Sequence, residues 1–315
     1  MTMEKRKLGR SGLHVAPLCL GGNVFGWTAD EKTAFAILDA FVAAGFGFID
    51  TADAYSAWVP GHEGGESETV IGNWLAARGY SSGAGRETLT IATKVGMWPK
   101  KPGLKAANII AACEGSLMRL KTGYIDLYQS HRDDAETPQD ETLEAFGKLI
   151  AAGKVRAVGA SNFDATRLEA AERIAEEGGF PRYDTLQPLY NLVERDFEKA
   201  LQPLCVDEEI GVIPFYSLAA GFLTGKYRSK ADTEGKARGG RVVQYLNDEN
   251  LALLDRLEKV AKAHAAAMAE VAIAWLRDRP AVVAPIASAT SLEQLKSLIR
   301  GASLELTAEE IAFLS

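Results

Sequence analysis

The chain predicts a single (β/α)₈ barrel of the TIM type over residues 1–315, with a short N-terminal β-hairpin. Three observations carry that expectation. Short apolar runs alternate with longer segments of helical period, the alternation recurs eight times, and no break in composition divides the 315 residues. Strands apolar on both faces belong to a parallel sheet covered by helices. Eight such units in a chain of this length favour one closed barrel over two domains. A doubly wound sheet is the competitor, but no G-x-G-x-x-G follows any run, so its usual phosphate loop is missing.

The elements follow in order. "KLGRSGLHVAPL" (7–18) sets turn residues between two short extended pieces and reads as a hairpin closing the barrel floor. "PLCLGG" (17–22) is the first barrel strand; Phe35, Leu38, Phe41 and Val42 share a face of the helix after it, which Gly45 ends. "FGFID" (46–50) is the second strand, and "SETVIGNWLAARG" (67–79) its helix. "TLTIATKV" (88–95) is the third, followed by a helix with Ile110, Cys113, Leu117 and Leu120 in register. "YIDLYQSH" (124–131) is the fourth, and "ETLEAFGKLIAAGK" (141–154) aligns Leu143, Phe146 and Ile150. "VRAVGASNF" (155–163), "TLQPLYN" (185–191), "GVIPFYS" (211–217) and "AVVAPIAS" (281–288) complete the set. The polar segment 227–245, rich in Gly, Lys and Arg, is a long loop of the functional or mobile kind. "TAEE" (307–310) is a capping box opening a last helix.

Composition narrows the functional classes. An apolar fraction of 47% and a charged fraction of 24% describe a globular protein with a sizeable core. The net charge of −7 argues against nucleic acid as a partner, because phosphate binding needs a basic surface. No run approaches a transmembrane span, and no apolar h-region follows the basic start. Cys19, Cys113 and Cys205 are scattered, odd in number and without metal or redox spacing, which suits a reducing compartment. The expectation is a cytoplasmic protein with no membrane attachment.

Chemistry in such a barrel gathers where strands end and βα loops begin. Successive strands end in Asp50, Lys94, His131, Ser161–Asn162, Gln187 and Tyr216–Ser217. An aspartate or lysine there is costly to bury unpaired, so neighbouring strands predict an Asp50–Lys94 ion pair. Tyr55, five residues after Asp50, is within reach of folding its phenol back toward Lys94. A nearby cation lowers a phenol's pKa, and such a group can protonate a carbonyl oxygen as it becomes an alkoxide. His131 on the next strand is placed to hold the same oxygen. Taken singly, each residue has an ordinary alternative as a cap, a surface charge or a packing group; four together at three consecutive strand ends are harder to explain that way.

These motifs resemble the aldo-keto reductase family over essentially the whole chain. "KLGRSGLHVAPLCLGG", "FIDTADAYS", "GESETVIG", "IATKVG", "LYQSHRDD", "VRAVGASNF", "QPLYNLVER" and "PFYSLAAGFLTGKY" carry the resemblance. It implies a (β/α)₈ barrel that reduces an aldehyde or ketone with NADPH, NADH being possible. Carried over by residue, it makes Tyr55 the proton donor, with Lys94 and Asp50 lowering its pKa and His131 orienting the carbonyl. Gly22 and Asn23 border the cofactor; Ser161, Asn162 and Gln187 bind its carboxamide, and Tyr216 stacks on the nicotinamide. Ser217, Leu218, Ala219, Gly221, Leu223 and Lys226 wrap the pyrophosphate. Ser288, Thr290 and Gln294 face the adenosine end.

Two departures concern that last group. Ser288 stands where the family commonly has glycine, and Thr290 where a basic residue often binds the 2′-phosphate; Leu298 replaces a frequent Asn. A hydroxyl bonds phosphate but lacks the bidentate grip of Arg. Arg241, in the long loop, is the candidate for the missing cation. Phe25, Trp27, Trp58 and Trp98 in the first three loops are expected to form an apolar substrate pocket. Sugars, aromatic aldehydes and dicarbonyls all stay open as substrates, as does the oligomeric state. The rival readings are an NADPH-binding regulatory subunit with little turnover, and a metal-dependent hydrolase, which the scatter of His14, His62, His131 and His264 disfavours; no metal is expected.

Overall fold

The computed structural model describes residues 4–236 and 239–315. Ala237 and Arg238, within the predicted long loop, lie outside the described residues, as do the first three of the chain. The strands are β1 (Arg6–Lys7), β2 (His14–Val15), β3 (Cys19–Gly21), β4 (Phe48–Asp50), β5 (Thr90–Val95), β6 (Ile125–Ser130), β7 (Val155–Ser161), β8 (Thr185–Gln187), β9 (Gly211–Val212) and β10 (Ile286–Ala287). The helices are α1 (Glu31–Ala43), α2 (Glu66–Arg78), α3 (Gly83–Glu87), α4 (Ala106–Leu120), α5 (Gln139–Ala151), α6 (Ala165–Gly178), α7 (Leu201–Asp207), α8 (Gly239–Val242), α9 (Asp248–Ala263), α10 (Met268–Arg277), α11 (Leu292–Ser303) and α12 (Ala308–Leu314). Strands β3 to β10 form one parallel sheet in the order β10-β3-β4-β5-β6-β7-β8-β9. A parallel bridge from Val212 to Val282 brings the far edge back to the segment before β10. The Val212 N–H to Ala281 and Val283 N–H to Val212 carbonyl bonds, 2.9 and 2.8 Å, close the ring. The expected (β/α)₈ barrel is the fold.

Alternation along the strands divides the apolar side chains into two cores. Cys19, Phe48, Ala92, Leu127, Ala157 and Ile213 point inward and pack with Leu8 and Val15 of the hairpin. Ile49, Ile91, Tyr128, Val158 and Leu186 point outward against the helices. Strands β1 and β2 pair antiparallel, and their apolar residues fill the floor as expected. Gly9, at φ +55°, is pressed so closely on β8 and β9 that a Cβ would sit 1.9 Å from the Asp184 carbonyl oxygen. Helices α2 and α4 touch backbone to backbone at Gly72, where a Cβ would meet the Arg119 carbonyl oxygen at 1.9 Å.

The structure shortens several predicted strands. The fifth barrel strand ends at Ser161; the sixth stops at Gln187, before Pro188, and the seventh at Val212, with Pro214 following. Proline brings no N–H to a ladder, so regular pairing ends near it. Only Ile286–Ala287 of the predicted eighth run is strand, directly after Pro285. On α4 the buried stripe starts at Ile109, and Ile110, a residue off that stripe, is 36% exposed. The buried face of α1 is Ala34, Ile37, Leu38 and Phe41, with Phe35 and Val42 partly buried at its flanks. The segment after β9 contains short helical turns at Ala231–Thr233, Gly239–Val242 and Val243–Tyr245 instead of a plain loop. Thr307 and Glu310 form the predicted capping box on α12. No helix among the described residues is long and apolar enough to cross a membrane.

Candidate active site

The inward series turns polar toward the carboxyl ends of the strands. Asp50, Lys94, Gln129, Ser161 and Gln187 are all buried, where charge survives only if paired. Lys94 is 0% exposed, and its ammonium has three N–H groups. All three find acceptors: Asp50 Oδ2 at 2.6 Å, the Thr51 carbonyl at 2.7 Å and the Tyr55 hydroxyl oxygen at 2.9 Å. Burial works against the charge, but Asp50 and Tyr55 together hold its pKa above 10.5. The other oxygen of Asp50 accepts from Gln129 Nε2 at 3.2 Å and Gln187 Nε2 at 3.0 Å. The predicted ion pair is therefore a fully bonded buried cluster.

Tyr55 accepts from Lys94, so its own O–H points to no described acceptor among the bonds of this cluster and is available to donate. Its pKa moves opposite to the expectation. Desolvation pushes the phenol up to about 12; Lys94 pulls it down without winning, and the negative Asp50 raises it rather than lowering it. His131 stands edge-on to Tyr55, ring centroids 5.8 Å apart. Burial first, then the Lys94 and Arg132 cations, hold its pKa well below 6.5, so the imidazole is neutral and carries one N–H.

Ser161 donates to the Gln187 carbonyl at 2.9 Å, and Asn162 Nδ2 donates to Ser161 Oγ and to the His131 carbonyl, at 3.0 and 2.8 Å. Asn162 is exposed at φ +55° and keeps its amide oxygen free of these bonds. Gln187 instead commits its amide nitrogen inward, also reaching Gln129 Oε1 at 3.2 Å. Gly22 donates its N–H to the Asp50 carbonyl at 2.7 Å, in a gap a Cβ would overfill. Asn23 accepts from the Ser288 hydroxyl at 2.6 Å, tying the loops after β3 and β10.

The turn after β9 is wound left-handed at Tyr216, Ala219, Ala220 and Gly221 (φ 55°, 47°, 57° and 99°). Left-handed backbone of this sort can form an anion-binding concavity; here the Ala219, Gly221 and Leu223 N–H groups already donate to the Tyr216 and Leu218 carbonyls. Ser217 is buried and spends its hydroxyl on the Pro214 and Ile286 carbonyls, and Leu223 faces the core, so neither side chain is turned outward. Leu218 is partly buried. Lys226 is exposed beside Gly221, its ammonium 4.9 Å over the Tyr227 ring. The Tyr216 ring is partly exposed, and Arg241 donates to its hydroxyl. Thr290 donates both N–H and hydroxyl to Gln294 Oε1 at 2.9 and 3.1 Å, and Leu298 is buried in the core. A left-handed backbone strip, an exposed lysine and a partly exposed ring after β9 are groups that could hold a dinucleotide; Thr290, expected at its adenosine end, bonds to Gln294 and to no described cation.

The aromatic residues divide. Trp27 and Trp58 meet edge to face at 5.6 Å, and Trp58, 49% exposed, meets Tyr55 at 6.0 Å. Phe25 is fully buried in the outer core and does not reach the mouth. Trp98 donates to the Glu63 carbonyl at 2.7 Å and lies 5.5 Å from the Arg119 guanidinium, so it anchors its loop. Sequence reasoning missed Gln129, although it sits two residues before His131 and so shares the inward face. It also missed the burial of Asp53, for which one sequence offers no signal.

A sequence model of the Aldo/keto reductase family matches residues 17–315. An uncharacterized oxidoreductase of Bacillus subtilis (strain 168), YrpG, is 37% identical over 322 residues, covering 99% of this chain and 95% of its own. Aldo-keto reductase YhdN of the same organism is 32% identical, covering 94% and 88%. Norsolorinic acid reductase stcV of Emericella nidulans is 32% identical, covering 96% and 78%.

Proposed function

Because this chain belongs to the aldo/keto reductase family, and is an oxidoreductase, we propose that it reduces an aldehyde or ketone to the alcohol with Tyr55 as proton donor. The observation that carries the reading is the saturation of Lys94. Its three N–H groups are all donated, one to the phenol oxygen, which leaves the phenol's proton facing outward as an acid. Neutral His131 offers an N–H to the same carbonyl oxygen, and Lys94 stabilises the phenolate left behind. A reduced nicotinamide held against the Tyr216 ring would supply the hydride. Asn162 and Ser161, bonded to one another, would border its carboxamide, and the left-handed strip with Lys226 would meet the pyrophosphate.

The adenosine end shapes the cofactor preference. Ser288 and Thr290 already donate their hydroxyls within the protein, and neither has the fork of an Arg. Arg241 bonds to Tyr216, at the nicotinamide end of this reading, rather than to Thr290. Fluorescence titration is expected to give NADPH and NADH dissociation constants within about tenfold of each other, a gap of about 1.4 kcal/mol. Aldehydes added to either complex are then consumed with loss of nicotinamide absorbance. Tight cofactor binding with no turnover across a panel of aldehydes and ketones overturns the reductase reading in favour of a sensor.

Trp27 and Trp58 extend the apolar wall from Tyr55, so large flat carbonyls gain more contact than small ones. Trp58→Ala is expected to raise KM for an aromatic aldehyde by about three- to tenfold and leave a two-carbon aldehyde nearly unchanged. Equal effects on both would remove Trp58 from the pocket.

A further inference from the structure

Behind the reacting groups, between the barrel wall and helices α2 and α4, lies a second set of ionisable side chains. Glu68 is fully buried; its oxygens accept from Thr93 Oγ1 at 2.5 Å and Arg119 Nε at 2.7 Å. Both oxygens are satisfied, one of them by the Arg119 guanidinium. Asp53 is only 1% exposed, and its carboxyl oxygens close no well-formed hydrogen bond among the described residues, the neighbouring Ala54 amide lying near without closing one. Nearby cations are committed elsewhere, Arg119 to Glu68 and Lys94 to its three acceptors. A second carboxylate in this dry space, beside Glu68, is the costliest state available.

Asp53 is also two residues from Tyr55, on a segment clipped to β5. Thr51 N–H donates to the Ala92 carbonyl at 2.8 Å, Asp53 N–H to the Lys94 carbonyl at 3.2 Å, and Tyr55 N–H to the Ala52 carbonyl at 3.2 Å. An ionised Asp53 must find water or a donor, and turning it out lifts the backbone that carries the phenol. We propose that Asp53 is a positioning residue: as a neutral carboxylic acid it seats residues 51–55 on β5, and its ionisation draws Tyr55 away from Lys94.

The surroundings set where this happens. Burial first, and the Glu68 charge second, raise Asp53 to a pKa of about 8, against the weaker pull of Arg119, the Ala54 amide and Lys94. Burial also keeps the facing Tyr128 phenol and Cys113 thiol protonated, the thiol to about 12, so neither titrates in the same range. The protonated form is the seated one, and activity is lost as pH rises through about 8.

The inference rests on the reductase reading only for its kinetic readout. Wild-type reductase kcat/KM is expected to fall above about pH 8, approaching about tenfold per pH unit, while Asp53→Asn holds its value there. Hydrogen exchange at residues 51–57, compared at equal pH above that midpoint, is expected to be several-fold faster in wild type than in Asp53→Asn, whether or not either protein turns over. Infrared titration of wild type gives a carboxylic-acid band lost near pH 8, apart from Asp184, which titrates at about 6, and needs no variant. An alkaline fall shared by Asp53→Asn, equal exchange in the two proteins, or no acid band titrating near pH 8 overturns the proposal. Absence of reductase activity with the exchange difference and the band intact would instead count against the reductase reading.

Discussion

Tyr55→Phe lowers reductase turnover by about 10²–10⁴-fold while cofactor affinity stays near wild type. The substitution keeps the ring, and with it the edge contacts to Trp58 and His131 at 6.0 and 5.8 Å. It removes only the atom that accepts from Lys94 and carries the proton. Lys94 keeps Asp50 and the Thr51 carbonyl as acceptors, so folding is little affected beside the loss of rate. The pH dependence sharpens the test. With the phenol held at about 12, its acid form persists across the neutral and moderately alkaline range, so Tyr55 itself imposes no alkaline loss on reduction there. Alcohol oxidation needs the phenolate, so in Asp53→Asn its rate climbs with pH, about tenfold per unit below the phenol's pKa. Tyr55→Phe turning over like wild type, measured by nicotinamide absorbance, removes the tyrosine from the reaction.

Lys94→Met carries the largest cost to folding. The thioether side chain fills most of the lysine's volume but donates nothing, leaving Asp50 buried with only the Gln129 and Gln187 amides. Breaking a buried pair from one side costs about 3–5 kcal/mol, a large share of a typical 5–15 kcal/mol total. Urea denaturation measures it. Adding Asp50→Asn should recover much of the stability without recovering activity, because the stranded charge goes but the acid's partner does not return. A Lys94→Met protein as stable as wild type would mean that the pair is not buried in solution.

The barrel was legible because short apolar runs and helical segments alternate eight times along the chain, and because six of the runs end in polar residues. Asp50 and Lys94 could be paired from sequence alone, since adjacent strands end in opposite charges that water cannot reach. The direction of Tyr55's pKa could not. It depends on how much solvent the loop excludes, and that competes with Lys94 at the same atom. Residue type and loop membership do not say which way a ring turns: Phe25, expected in the pocket, enters the core, while the Trp98 ring N–H is spent on the Glu63 carbonyl. Strand ends were misjudged where Pro188, Pro214 and Pro285 stop regular pairing while the chain stays extended and apolar.

On the proposed role of Asp53, the tight helix contact at Gly72 would give a distant position leverage over proton transfer. Any side chain there would wedge α2 away from α4, since the Arg119 carbonyl occupies the space a methyl group would need. Glu68 and Arg119 ride on those two helices, so the wedge would stretch their bond and retune the charge that Asp53 senses. A methyl group buried between two outer helices would thus shift the acidity at which the barrel mouth works, with no contact to anything that reacts.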